Sequence, residues 1–246
     1  MKKIFATTLL CLSMIIITAQ VSSNENDLVP DGPFFEKQGK MSVSGYYLNN
    51  QKTGNWITYF DSGQIHIVES YKNGQKNGLY LKISNRGYIE EQSEYINDSL
   101  SGKKIDFSIG GKTKLVENYK GGVLDGLRTA YYDRGTVQEE SNYTKGIKNG
   151  VAKWFNTEAK LIAEYNYKNG EFEGLQRTFY SNDSIRSEQL YENGISIGEY
   201  KEYFENGKVK KEGAYKNGLK SGKWFEYNED GKLMETIKFK KGEALK

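Results

Sequence analysis

The chain has 246 residues, with 35 basic against 32 acidic side chains, one histidine and one cysteine. A charge this nearly balanced argues against nucleic acid as a partner, because phosphate binding needs a concentrated basic field. One histidine and one cysteine also rule out the usual zinc sites and disulfide frameworks.

The first expected element is a signal peptide over residues 1–23. Lys2 and Lys3 precede an apolar stretch from Ile4 to Ala19, which gives way to Ser22, Ser23 and Asn24. That layout predicts export, to a periplasmic or secreted location, with cleavage near Ala19 or Ser23. A retained anchor is the alternative, but the stretch is shorter than a typical span and is interrupted by Thr7, Thr8, Ser13 and Thr18. Cleavage would remove Cys11, the single cysteine, and leave 33 basic against 32 acidic residues. Residues 24–34 read as a linker, with both prolines, Pro30 and Pro33, ahead of the repeats.

From residue 47 the chain repeats every 24 residues without insertion. Tyr47, Tyr71, Tyr95, Tyr119, Tyr143, Tyr167, Tyr191 and Tyr215 keep one register, and Phe239 closes the series. Residues 35–46 carry Phe35, Gly39 and Met41 at positions expected of a degenerate capping repeat. Such a period marks an architecture in which each unit buries its apolar surface against its neighbours.

Three glycine columns ride on the same lattice. One follows each tyrosine by three residues, as at Gly74 and Gly218, with Asn50 and Asp98 in the two gaps. Asn and Asp tolerate left-handed backbone best after glycine, so this column is expected to be a turn needing positive φ. A second column runs from Gly54 to Gly222, seven residues after each tyrosine; a third runs from Gly63 to Gly231, broken by Ala159 and Asp183. Aromatic and aliphatic residues between the glycines recur at strand spacing, and Asn-Gly between two such runs signals a hairpin. The fold class expected is all-β: an elongated, single-layer stack of β-hairpin repeats, eight of them over residues 47–246. Helix fails because glycine interrupts every would-be run and no 3.6-residue period appears.

Candidate binding residues are the aromatics opposite in parity to the repeated core positions: Trp56, Phe60, Tyr80, Tyr132, Trp154, Tyr180, Tyr200, Phe204 and Trp224. In an ideal strand these would project from the other face, either as a second packing layer or as a recognition surface. Glu140, Glu164, Glu188 and Glu212 form an acidic column, expected to be a solvated charged face in which Arg186 and Lys210 share the face of Glu188 and Glu212. His66 is expected on a sheet face without a catalytic role. No catalytic residue, metal site or cofactor is expected.

Tyr-Lys-Asn-Gly-x-x-x-Gly, at Tyr71 to Gly78, Tyr167 to Gly174 and Tyr215 to Gly222, resembles the MORN repeat variant, and the chain looks like the bacterial YwqK-type group often labelled as antitoxins. The resemblance covers about residues 45–242 and implies a non-enzymatic scaffold for protein contacts, with a membrane surface also possible. The antitoxin label would imply a toxin protein as partner. Carbohydrate or cell-wall binding is the rival from another class, and an enzyme using a carboxylate pair stands behind it.

Overall fold

The computed structural model describes residues 30–245, and all their regular structure is strand. The segment expected to be a signal peptide and most of the linker lie outside the described residues. Twenty-one strands form one antiparallel sheet. Its strands follow one another across the sheet in chain order, from the pairing of Gly32–Gln38 with Met41–Leu48 to that of Leu233–Lys240 with Glu243–Leu245. In two places a short and a long strand share one position. Val123–Leu124 with Gly126–Tyr131, and Glu171–Phe172 with Gly174–Phe179, are each split by one acidic residue.

The first strand begins at Gly32, within the stretch read as linker, and takes Pro33 into the ladder opposite Tyr46. A proline is tolerated there because an edge strand has no neighbour on its outer side to demand an N–H. Phe34, rather than Phe35, joins the packing; its ring lies 5.4 Å from Tyr47 and 5.3 Å from Trp56.

Each unit has two turns, both dictated by left-handed residues. In the turn after the tyrosine strand, two consecutive residues have positive φ, as in Asn73 (52°) with Gly74 (78°) and Asn217 (52°) with Gly218 (78°). That is the two-residue I′ turn, whose twist matches that of the flanking strands. Asn50 (59°) and Asp98 (63°) take the same conformation as the glycines they replace. Ala159 (61°) and Asp183 (67°) do likewise in the second turn. Successive I′ turns are tied together, since Gly74, Gly146 and Gly218 each donate an N–H to the carbonyl of a residue one hairpin back, Lys52, Leu124 and Ser196.

The remaining glycine column lies inside strands, and it is where parity changes. Gly54 (φ 66°), Gly150 (101°) and Gly222 (73°) accompany register shifts such as the one between Ser44 and Tyr46. A second irregularity recurs near the other turn, between Thr58 and Tyr59 and between Glu202 and Tyr203. Bulges of this kind break the strict alternation of side chains between faces.

Candidate functional site

One face of the sheet carries the tyrosine column. Because of the bulges, that face also holds side chains that alternation would have sent to the opposite side. Trp56 is 3% exposed and Trp224 is 1% exposed. Trp56 packs against Tyr47 and Tyr71 at centroid distances of 4.9 and 6.2 Å, and Trp224 against Tyr215 and Phe239 at 5.2 and 6.0 Å. Tyr80 meets Tyr95 at 6.0 Å, Tyr200 meets Tyr215 at 6.0 Å and Trp154 meets Tyr165 at 5.1 Å. The expectation that these five aromatics form a face separate from the tyrosines is therefore corrected. Every bulge inserts a residue, and one residue is enough to flip a side chain.

The other four candidates sit at the far turns, where Tyr132 and Tyr180 link neighbouring units and Phe60 and Phe204 pack within their own. The hydroxyls of Tyr132 and Tyr180 donate to the carbonyls of Phe155 and Tyr203 at 2.8 and 2.7 Å, each in the next hairpin. Phe60 lies 4.2 Å from the ring of His66, whose Nδ1 is 2.9 Å from the carbonyl of Ile83. Phe204 receives the Lys210 ammonium 6.0 Å from its centroid.

Two glycines on the tyrosine face have an unrelated reason to be glycine. Gly45 and Gly213 are not left-handed, but a Cβ on either would stand 2.3 or 2.2 Å from the indole of Trp56 or Trp224. The same column holds Glu69, Ser93, Glu117, Ser141, Tyr165 and Gln189 in the other units. Tryptophan across the strand thus goes with bare backbone beneath it. The signal was legible as these two glycines falling two residues before a repeat tyrosine, off the three regular columns.

A lysine column was also missed. Lys52 places its ammonium 4.2 Å from the Trp56 ring and 4.9 Å from Tyr71. Lys76 sits 5.5 Å from both Tyr80 and Tyr95, Lys148 5.0 Å from Trp154 and 5.3 Å from Tyr167, and Lys220 4.4 Å from Trp224 and 5.0 Å from Phe239. Cations over ring faces are attracted by the ring quadrupole while their stems cover apolar surface. The result is a comb of aromatics and ammonium groups along one face.

Between the aromatic ends the face is polar. Ser93 and Ser141 are fully buried and donate to Glu91 and Glu139. Glu139 also binds Lys148 at 2.9 Å and Arg128 at 3.0 Å, and Arg128 reaches Glu117 at 3.3 Å. Burial pushes the Glu139 carboxyl up, but the hydrogen bonds from Ser141 and Lys148 and the nearby cations outweigh it and hold it below the usual range. Burial first, then the Glu202 carboxylate that accepts its hydroxyl, pushes Tyr200 up to about 12. The tyrosine is a neutral donor and ring at physiological pH. Among the described residues, no group of three or more His, Cys, Asp or Glu is placed to hold a metal ion.

The glutamate column lies on the opposite face. There it interleaves with cations across adjacent strands, in the order Glu140, Lys153, Glu164, Arg177, Glu188, Lys201, Glu212. Arg177 binds Glu188 at 2.8 Å, and Tyr203 and Tyr227 donate to Glu188 and Glu212 at 3.1 and 2.8 Å. Arg186 and Lys210 do not share that face. Arg186 lies over the Tyr180 ring and Lys210 binds Glu202 at 2.8 Å, because a bulge separates them from the glutamates they precede. In the N-terminal half the same rows carry Ile57, Val68, Leu81, Gln92, Ile105 and Val116.

One recess interrupts the comb. A pocket of about 260 Å³ opens on the tyrosine face between Tyr165 and Phe172 on one side and Tyr200 and Tyr215 on the other, with Gln189 and Ser196 among its lining residues.

No curated protein matches the chain. The MORN repeat variant matches it at residues 52–73, 124–145, 172–193, 197–217 and 220–241. Each matched stretch covers one strand, the turn after it and the strand that returns, so five hairpins of this sheet are similar to the MORN repeat variant.

Proposed function

We propose that the chain is a non-enzymatic interaction scaffold that acts outside the cytoplasm and holds a protein partner along its tyrosine face. The observation that carries this reading is the comb itself: ring faces and ammonium groups repeat along a sheet that has no second layer of described residues over it. Repetition gives several weak contacts in a fixed row, so that once one engages the others bind at high effective concentration. Aromatic residues are also the groups that most often anchor protein interfaces. MORN repeats commonly serve in protein and membrane interactions, which agrees with this reading. The export part rests on the pattern of residues 1–23.

The test is co-isolation from the native envelope with a tagged chain covering residues 24–246, and identification of bound material by mass spectrometry and sugar analysis. A stoichiometric protein whose capture is lost on Tyr80→Thr with Lys52→Ala, in a variant that keeps its β circular dichroism, supports the scaffold. A toxin-like protein would narrow it to the antitoxin reading. Recovery of glycan or of nothing would overturn it.

A further inference from the structure

The pocket on the tyrosine face has an internal control in the repeat itself. In the unit that begins at Tyr71, Tyr80 and Tyr95 stand with centroids 6.0 Å apart, and the Lys76 ammonium lies 5.5 Å from each. Glu69 supplies an oxygen to that ammonium at 2.6 Å. In the unit that begins at Tyr191, the equivalent rings Tyr200 and Tyr215 are again 6.0 Å apart. The residue equivalent to Lys76 is Ser196, and the one equivalent to Glu69 is Gln189. Elsewhere the Ser196 column holds Lys52, Leu100, Leu124, Lys148, Phe172 and Lys220, all large. The recess exists because this one unit carries a small side chain where the others carry their own plug.

The oxygen is in place as well. Gln189 is 8% exposed, and its Nε2 donates to the carbonyls of Leu190 and Ile197, both at 2.8 Å. Two carbonyl partners fix which end of the amide is nitrogen. Oε1 is left buried without a partner. A buried acceptor left unmet is costly and calls for a functional explanation. The lining holds Tyr165, Phe172, Tyr191, Tyr200 and Tyr215 and no charged side chain.

We propose that this pocket binds an alkylated ammonium ion, free or carried on a lipid headgroup. Three other units of the same chain put an ammonium over both equivalent rings, and Lys148 lies over Tyr167, the equivalent of Tyr215, so the chemistry the seat accepts is written in the repeat. A primary ammonium brings three N–H donors and would need more acceptors than one amide oxygen provides. A quaternary ammonium brings none, holds its hydration weakly and presents its charge through methyl groups to ring faces, the use aromatic cages serve, and to the Gln189 oxygen as a charge-dipole contact rather than an N–H hydrogen bond. The site is independent of the scaffold reading, since it needs no protein partner.

The experiment is ligand-observed NMR on the full chain at constant ionic strength, with tetramethylammonium and choline as probes and 3,3-dimethylbutan-1-ol as the neutral isostere of choline. Both cations should bind, with the neutral isostere weaker by about tenfold or more. Ser196→Lys should abolish binding by plugging the seat as Lys76 does, in a column where lysine is accommodated four times. Should that variant fail to fold, Tyr200→Leu, which keeps apolar bulk but removes a ring face, should weaken the cations by about tenfold. Cosedimentation with phosphatidylcholine vesicles, lost in Ser196→Lys, would identify a headgroup as the source; binding of choline without cosedimentation would identify a free ion. Equal binding of the neutral isostere, cation binding unchanged in both variants, or no binding of either cation would overturn the proposal.

Discussion

Replacing Gly213 with alanine tests the packing account most directly. Gly213 lacks the left-handed φ of the other repeat glycines, so an added methyl meets no backbone penalty and on propensity alone would help a strand. Its cost is steric. The new Cβ would lie 2.2 Å from Cδ2, 2.4 Å from Cε2 and 2.6 Å from Cγ of Trp224. The indole has nowhere to go, since Tyr200, Tyr215 and Phe239 stand 5.5, 5.2 and 6.0 Å from it and Lys220 lies over its face. Overpacking of this kind costs about 1–3 kcal/mol. For a chain of this size each kcal/mol lowers Tm by about 2–4 °C. Thermal and urea unfolding followed by circular dichroism would measure it. Trp224→Tyr should be destabilising alone but should rescue Gly213→Ala, because Tyr80 and Tyr200 occupy that place opposite Glu69 and Gln189 in other units. A double-mutant cycle should then show a favourable coupling. A Gly213→Ala protein as stable as the parent, or strictly additive losses, would refute the claim that glycine is there to make room.

Three further outcomes are expected. Gly174, at φ 80° with nothing within 4 Å of an added Cβ, is glycine for conformation alone. Gly174→Val should cost about 1–2 kcal/mol or more, whereas Glu164→Ala, which loses an outlying 3.7 Å ion pair, should change stability by less than about 1 kcal/mol; equal melting temperatures would contradict both assignments. Glu139 has a carboxyl held below its unfolded value of 4.5, so its contribution is present above pH 4.5 and is lost as the pH falls through the lower folded value. Urea titrations of Glu139→Gln at pH 7 and in mild acid should show a smaller acid loss than the parent, and an identical loss would refute the pairing. Tyr200 is raised from 10.0 to about 12, so the stability it confers is present below pH 10 and is lost as the pH rises toward 12. Tyr200→Phe should reduce that alkaline loss, with phenolate absorbance near 295 nm as the direct readout.

Much of the architecture was legible before any coordinates. Asn50 and Asp98 take the left-handed conformation of the glycines they replace, because positive φ is a local backbone demand that few residue types meet; Ala159 and Asp183 do so in the second turn, where alanine carries no such signal. The candidate site was legible in composition but not in placement. Strict alternation sends Trp56 and Trp224 to the face away from the tyrosines, whereas they pack beside them. It likewise sets Arg186 and Lys210 beside Glu188 and Glu212, whereas Arg186 lies over Tyr180 and Lys210 binds Glu202. Both errors have one cause: alternation holds only within an unbroken strand, and the units are interrupted by bulges, or by the strand breaks at Asp125 and Glu173, whose position depends on pairing with a neighbour.

The amino-acid sequence by itself determined the repeat length, the hairpin turns and the all-β class, because these follow from φ preferences and spacing within a few residues. Only the tertiary structure decided which side chains share a face, that Gly45 and Gly213 make room for indoles, and that Ser196 leaves one ring pair uncovered. Those facts depend on which residue of one strand lies opposite which residue of the next, and register across a bulged sheet is set between strands rather than along the chain.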